Sequence, residues 1–213
     1  TVGITEVKLI GGQHGNEAIG REILIQLIRM LCEQRSITDE LLQDIRIHIL
    51  PEYNPDGYKW ARVGDVYGIH GRANDQKIDL NRNFPVLWKE IDPLSGQRKT
   101  IDGAPIALEN LNIIKWSQST PFVLSADLHG GDLVANYPYD DYKSSNNNDK
   151  KTSGVSPTPD DEFFQYLSKT YSMAHPSMTE GKGCMSDKIF RQKMPNARDE
   201  HENFPDGIVN GAQ

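Results

Sequence analysis

The chain has 213 residues, of which 37% are hydrophobic and 25% are charged, so it can bury the core of about one globular domain. Its 23 basic and 30 acidic residues give a formal net charge of −7, which argues against a nucleic-acid partner because phosphate binding needs clustered positive charge. The sequence has no run of about 18 apolar residues, so no segment of it is expected to span a membrane.

Strand and helix signals alternate in the first part of the chain. Residues 6–10 predict a short strand that ends at a pair of glycines. The segment after it predicts a helix, because apolar residues recur there at four-residue steps, at Ile19, Ile23 and Leu27. Residues 45–50 alternate apolar and polar side chains and predict a second strand, which is followed by a turn signal at residues 54–57.

Further elements are expected after a loop-rich stretch at residues 58–103. Residues 105–118 predict a helix and residues 121–128 a third strand. A last helix is expected to begin with Thr158 as its N-cap and to bury a face formed by Phe163, Leu167 and Tyr171. Strands interleaved with helices predict an α/β fold on a mixed, mostly parallel, twisted sheet flanked by helices. Such sheets bind ligands at the carboxyl ends of their strands.

Two histidines and a glutamate stand next to predicted strand ends. His14 and Glu17 are 17 − 14 = 3 residues apart after the first strand, a spacing that lets both side chains converge from one helical turn. His129 follows the third strand and precedes two glycines. A His-X-X-Glu pair alone is common and usually structural, but two imidazoles and a carboxylate at strand ends form a ligand set typical of catalytic zinc. We therefore expect one Zn²⁺ at His14, Glu17 and His129.

A second group of side chains is cationic or amidic. Arg72 and the pair Asn81-Arg82 lie in the loop-rich stretch, where an arginine is most often solvated or paired with a nearby acid such as Asp75 or Asp79. The functional alternative is that one guanidinium grips a carboxylate in bidentate fashion, while another near a metal stabilises a developing oxyanion.

Several motifs together resemble the zinc metallocarboxypeptidases, in particular the regulatory branch that includes carboxypeptidases D, E, M and N. The resemblance runs from about residue 6 to the end of the chain, and its motifs occur in the family's order. They are Gly15-Asn16-Glu17-Ala18-Ile19-Gly20-Arg21-Glu22, Asn54-Pro55-Asp56-Gly57, Asp79-Leu80-Asn81-Arg82-Asn83-Phe84-Pro85, His129-Gly130-Gly131 and Asn136-Tyr137-Pro138-Tyr139-Asp140.

The resemblance implies a carboxypeptidase-like α/β/α sandwich and a role for each motif residue. His14, Glu17 and His129 match the family's zinc ligands. Arg82, with Asn81 beside it, matches the pair that holds the substrate's C-terminal carboxylate, and Arg72 matches the arginine that polarises the scissile carbonyl.

Substrate preference and cellular setting also follow from the resemblance. Asp140, at 140 − 129 = 11 residues past His129, falls where the family sets its side-chain pocket, and an acid there suits a C-terminal Lys or Arg. Its ordinary role would be that of a turn former. The expected partners are therefore peptide or protein C-termini with a basic last residue, in the secretory pathway or outside the cell.

The chain departs from the family at its C-terminal end. The family's general base is a Glu on a later strand, and no Glu in this sequence matches that motif; the last one is Glu202. We expect residues 1–213 to be a catalytic domain that is incomplete at its C-terminus, with the base, the last strands and a partner for Cys184 beyond residue 213. Losing a general base removes about 10²–10⁴-fold in rate.

Two alternatives to the peptidase hypothesis remain at this point. The first is a carboxypeptidase-like binding domain that keeps the pocket without the chemistry, which the missing base would explain. The second is a zinc-dependent deacylase, since such enzymes also use a His-X-X-Glu…His set. The Asn-Pro-Asp-Gly and His-Gly-Gly motifs favour the peptidase.

Overall fold

A computed structural model describes residues 3–65, 68–86, 89–94, 96, 98–101, 103–140, 155–181 and 204–211. The chain divides into two compact units, Thr1–Gly130 and Gly131–Gln213. The predicted α/β class is confirmed, because the strands pair in parallel and helices flank them. No helix within the described ranges is long and apolar enough to cross a bilayer.

The first unit is built on a three-stranded parallel sheet. Its strands are β1 (Thr5–Gly11), β2 (Ile45–Leu50) and β3 (Phe122–Leu128), in the spatial order β2-β1-β3. The register pairs Ile10 with Leu50 on one side and with Asp127 on the other. Because all three strands run the same way, the segments that follow them leave the sheet at one edge.

The described residues of this unit form the α-helices α1 (Ala18–Glu33), α2 (Arg35–Asp44), α3 (Pro55–Trp60) and α4 (Leu108–Ser119). The sequence predicted α1 and α4 but not α2. It predicted only a turn at residues 54–57, whereas α3 starts there, with Asn54 as N-cap accepting a hydrogen bond from the backbone N–H of Gly57 at 2.9 Å. A short 3₁₀ helix, Leu80–Arg82, lies in the expected loop region.

The buried core of the unit lies between the sheet and the loop-rich stretch. Its members come from β1, the segment after β2, the 3₁₀ helix, and α4 with its N-cap residue, and they are Ile10, Tyr53, Leu80, Ala107 and Ile113. Buried asparagines tie the same layers together. Asn110 accepts a hydrogen bond from the Tyr53 hydroxyl and donates one to the backbone oxygen of Leu80 at 3.0 Å. This network fixes the 3₁₀ helix that carries Arg82.

Among its described residues, the second unit forms a two-stranded parallel sheet and an α-helix. Strands β4 (Ala135–Tyr137) and β5 (Ile208–Asn210) pair with each other, and α5 spans Asp161–Ala174. The expected N-cap was wrong, since Asp160 occupies the cap and the Thr158 hydroxyl instead accepts a hydrogen bond from the Asp160 backbone N–H.

Two of the three residues predicted for the buried face of α5 are exposed, and the third, Leu167, is half-buried. Phe163 and Tyr171 are each 58% exposed, whereas Ser168 and Ser172 are buried. Small side chains are needed there because the Ser172 hydroxyl donates to the backbone oxygen of Asp206 at 2.7 Å, which holds the 3₁₀ helix Pro205–Gly207 against the helix.

Candidate metal centre

His14 and Glu17 lie in the turn that joins β1 to α1. The backbone N–H of Glu17 donates to the backbone oxygen of His14 at 3.0 Å, and helix α1 begins only at the next residue. The two side chains converge at the mouth of the helix, as their spacing allows, although neither residue belongs to the helix itself. They converge through the tight turn ahead of the helix, with Glu17 in the N-cap position.

His129 follows β3 at the same edge of the sheet. The backbone N–H of the next residue, Gly130, donates to Oε2 of Glu17 at 2.8 Å, so the end of β3 is tied to the start of α1. Gly20 permits this approach, since a Cβ at that position would collide with the backbone oxygen of Leu128. The sheet edge and the helix start thus bring together side chains that are far apart in sequence.

The three predicted ligands meet at one point. Nδ1 of His14 lies 2.8 Å from Oε1 of Glu17, and Nδ1 of His129 lies 2.9 Å from Oε2 of the same carboxylate. The two Nδ1 atoms are 3.2 Å apart. Tetrahedral zinc with nitrogen ligands at about 2.0–2.1 Å sets neighbouring ligand atoms about 3.3 Å apart. The spacing and the types of donor atom therefore fit one zinc ion.

The second nitrogen of each imidazole faces another carboxylate. Nε2 of His14 is 3.1 Å from Oδ1 of Asp79, and Nε2 of His129 is 3.5 Å from Oδ2 of Asp127. When each Nε2 donates its proton to its aspartate, each Nδ1 keeps a lone pair that faces the Glu17 carboxylate. Such a convergence of electron-rich atoms requires a positive charge between them, either as protons on the rings or as a metal ion.

The pKa values show how the cluster behaves when protons supply that charge. Burial would raise the pKa of Glu17, but hydrogen bonds from His129, His14 and Gly130 outweigh it and lower the pKa to about 2. Partial burial would lower the pKa of His129, but Asp127 and Glu17 raise it to about 10. The pKa of His14 is likewise raised, because contacts with Asp79 and Glu17 outweigh its burial. The cluster strongly favours a cation at its centre.

Arg72 lies beside the same carboxylate. Its Nε donates to Oδ2 of Asp79 at 2.9 Å, and one terminal nitrogen lies 3.4 Å from Oε1 of Glu17. Both explanations considered for Arg72 are thus compatible: it is paired with Asp79, and it also borders the candidate metal centre. Its side chain is 37% exposed, so it is open to a bound molecule.

Asn81 and Arg82 occupy the 3₁₀ helix that follows Asp79. Oδ1 of Asp79 accepts a hydrogen bond from the backbone N–H of Asn81 at 3.0 Å, and the Arg82 guanidinium donates to the backbone oxygen of Asn81 at 3.1 Å. Both are half-buried. Within the described part of the chain, neither side chain hydrogen-bonds to the three candidate ligands.

The remaining predicted residues belong to the second unit or to parts of the chain that the structure does not describe. Asp140 is an exposed residue of the second unit, three positions after the end of β4. Cys184 and Glu202 fall outside the described residues. The sequence interpretation missed two carboxylates of the site: it treated Asp79 only as a possible partner of Arg72 or Arg82, and it gave Asp127 no role. The position of Asp127 two residues before His129 on a strand was the available signal, because alternate strand residues share a face.

An imidazole–carboxylate–imidazole cluster at the carboxyl edge of a parallel α/β sheet, flanked by an arginine, is typical of zinc-dependent hydrolases. A family model described as zinc carboxypeptidase matches residues 2–208. The chain belongs to that family, which confirms the resemblance seen in the sequence and implies Zn²⁺ as the cofactor.

Curated relatives agree with this assignment. The chain is 39% identical to human carboxypeptidase D over 214 residues, which cover 99% of this chain and 13% of that protein. It is 41% identical to the human carboxypeptidase N catalytic chain, covering 97% of this chain and 45% of the relative. Mouse carboxypeptidase Z is 46% identical over 82% of this chain and 29% of its own length. The chain therefore spans less than half of each of these proteins.

Proposed function

We propose that this chain is the zinc-binding part of a metallocarboxypeptidase that removes C-terminal Lys or Arg from peptides and proteins. One observation carries the proposal: two imidazole nitrogens and one carboxylate converge with separations of 2.8, 2.9 and 3.2 Å. Family membership supports the reaction class. The binding-domain and deacylase alternatives gain no support from the comparisons, whose relatives bear carboxypeptidase names.

In this proposal His14, Glu17 and His129 hold the zinc. The ion supplies a Lewis acid and a water whose pKa is lowered to about 7. Asp79 orients two groups at once, because one of its oxygens faces Nε2 of His14 and the other accepts from Arg72. Arg72 then presents its remaining N–H donors to the carbonyl oxygen that becomes negative during peptide hydrolysis.

In this proposal, each end group of the substrate is recognised by a side chain of opposite charge. Arg82, with Asn81 beside it, binds the terminal carboxylate, because the guanidinium fork matches a carboxylate in both charge and geometry. Asp140 pairs with the basic last side chain of the peptide. The chain's net charge of −7 is compatible with cationic substrates. The secretory or extracellular setting rests on the resemblance to the regulatory branch.

The test is an assay of the full-length protein that contains this chain. The substrates are a peptide ending in Arg, the same peptide with a C-terminal amide, and the same peptide ending in Glu. We expect cleavage of the first, none of the second and little of the third. Equal cleavage of the acid and the amide would refute carboxylate recognition, and equal cleavage of the Arg and Glu peptides would refute the basic preference.

Two controls separate the alternatives. Asp140→Asn should reduce the preference for Arg over an uncharged last residue while zinc content stays the same. An N-acyl amino acid offered in parallel tests for a deacylase, and faster turnover of that compound would contradict the peptidase proposal. Tight binding of the Arg peptide without any cleavage would instead support a binding domain.

A further inference from the structure

We propose that Asp127 is a positioning residue that sets the orientation of the His129 ring for metal binding. Oδ2 of Asp127 lies 3.5 Å from Nε2 of His129, while Nδ1 of the same ring lies 2.9 Å from Oε2 of Glu17. The imidazole is thus held between two carboxylates on opposite sides. A carboxylate on the outer nitrogen of a metal-binding imidazole selects the tautomer and makes the ring a better ligand.

The need for such a partner follows from the difference between the two histidines. The His14 side chain is only 2% exposed, so the surrounding protein restricts its ring. The His129 side chain is 31% exposed and follows the last residue of β3, so packing constrains its ring less. A polar contact to the outer nitrogen therefore has more influence on the orientation of His129.

Asp127 is well placed to provide a fixed contact. It lies on β3 and pairs with Ile10 of the central strand β1, and the next residue, Leu128, pairs with Gly11. The backbone of Asp127 is therefore held in the sheet that also carries the chain to His14. A rigid strand positions a supporting side chain better than a loop does.

A competing role for Asp127 is to neutralise Lys8. Lys8 lies on β1 and is 8% exposed, and its ammonium group donates to the Ser117 hydroxyl at 2.7 Å. Burial lowers the pKa of Lys8, and the charge of Asp127 opposes that shift. If this were the main role of Asp127, its removal would disturb the sheet around Lys8 and would affect metal binding only as a consequence.

The test measures zinc affinity directly. The full-length protein is stripped with a chelator, and its zinc Kd is determined by competition with a chromophoric chelator. We expect Asp127→Ala to weaken zinc binding about 10–100-fold. Asp127→Asn should fall between the alanine variant and the wild type, because its amide oxygen still accepts from Nε2 but carries no charge. Asp44→Asn removes an exposed acid at the end of α2 and should leave the Kd unchanged.

Two further variants distinguish the possible failures. The first is the double variant Lys8→Met with Asp127→Ala. If its zinc Kd returns to the wild-type value, Asp127 acts through Lys8 and the inference is wrong. If its zinc affinity stays as low as that of Asp127→Ala alone, the inference is supported. The inference rests on the proposed metal ligands, which His129→Ala tests separately. If His129→Ala leaves the zinc Kd unchanged, the ligand assignment itself fails. If His129→Ala loses zinc affinity but Asp127→Ala does not, only the role of Asp127 is overturned. Thermal unfolding of the stripped variants verifies that each is folded.

Discussion

Zinc binding should release protons from the candidate metal centre. In protein stripped of metal, the pKa of His129 is raised to about 10, so this ring carries a proton on both nitrogens at pH 7. The pKa of His14 is raised as well, whereas Glu17, with a pKa of about 2, is already ionised. Zinc binds the lone pair of a neutral imidazole, so each charged ring must lose a proton first.

The expected size of the effect follows from these protonation states. His129 contributes about one proton per zinc at pH 7, and His14 contributes up to about one more. Because the proton competes with zinc for the same nitrogen, apparent affinity rises with pH while the metal-free rings are protonated. Each released proton corresponds to about a tenfold gain per pH unit, so the affinity should rise at least about 100-fold between pH 6 and pH 8.

Calorimetric titration with zinc in buffers of different ionisation enthalpy measures the number of protons released. That number is the slope of the observed binding enthalpy plotted against the ionisation enthalpy of the buffer. A slope of about one to two protons per zinc is expected at pH 7. Asp79→Asn is the matched variant, since it removes a carboxylate that raises the pKa of His14, and it should reduce the slope. A slope of zero in the wild type would show that the rings are neutral without metal and would refute the reasoning from the carboxylate contacts.

Three substitutions test other parts of the account. Arg72→Ala should lower kcat about 10²–10³-fold in steady-state kinetics. Arg72→Lys should be similarly slow, because the contact between Nε and Asp79 is lost. An unchanged kcat in either variant would contradict this role. Arg82→Ala should raise KM for an Arg-terminated peptide about 10–100-fold, and an unchanged KM would exclude Arg82 from carboxylate binding. Gly20→Ala should lower the free energy of unfolding, measured in urea, by about 1–3 kcal/mol, because the added Cβ would collide with the backbone oxygen of Leu128. A variant as stable as the wild type, or more stable, would contradict that contact.

The strands of the first unit were predictable because their sequence pattern is local. The strand expected at residues 6–10 is Thr5–Gly11, and the one expected at residues 45–50 is Ile45–Leu50. Helix α2 was not predicted. Its ten residues, Arg35–Asp44, are mostly polar, and no side chain caps their N-terminus, so the sequence gives little sign of a separate helix after α1.

Helix orientation was harder to obtain from the pattern. In α1 the apolar stripe at Ile19 and Ile23 is 56% and 48% exposed, and the buried positions are Gly20 and Leu24. The helix is apolar on more than one side, so periodicity indicates a helix without identifying the side that meets the sheet. The close approach of Gly20 to β3 decides that side, and it depends on a strand about a hundred residues later in the chain.

The candidate ligands could be predicted because their residue types and strand-end positions are specific to metal chemistry. The supporting carboxylates could not be assigned in the same way. Asp79 contacts His14 across 65 residues, and aspartates are common in loops for other reasons. The double role of Asp79, toward His14 and toward Arg72, becomes visible only when three separate segments are placed together in space.

The zinc content of purified protein and ligand variants tests the central claim most directly. Elemental analysis after dialysis should find about one zinc ion per wild-type chain. It should find much less zinc in the His14→Ala variant and in the His129→Ala variant. The exposed His70 provides a matched control, and His70→Ala should retain the metal. Wild-type protein that binds no zinc, or variants that keep a full equivalent, would contradict a metal centre at His14, Glu17 and His129.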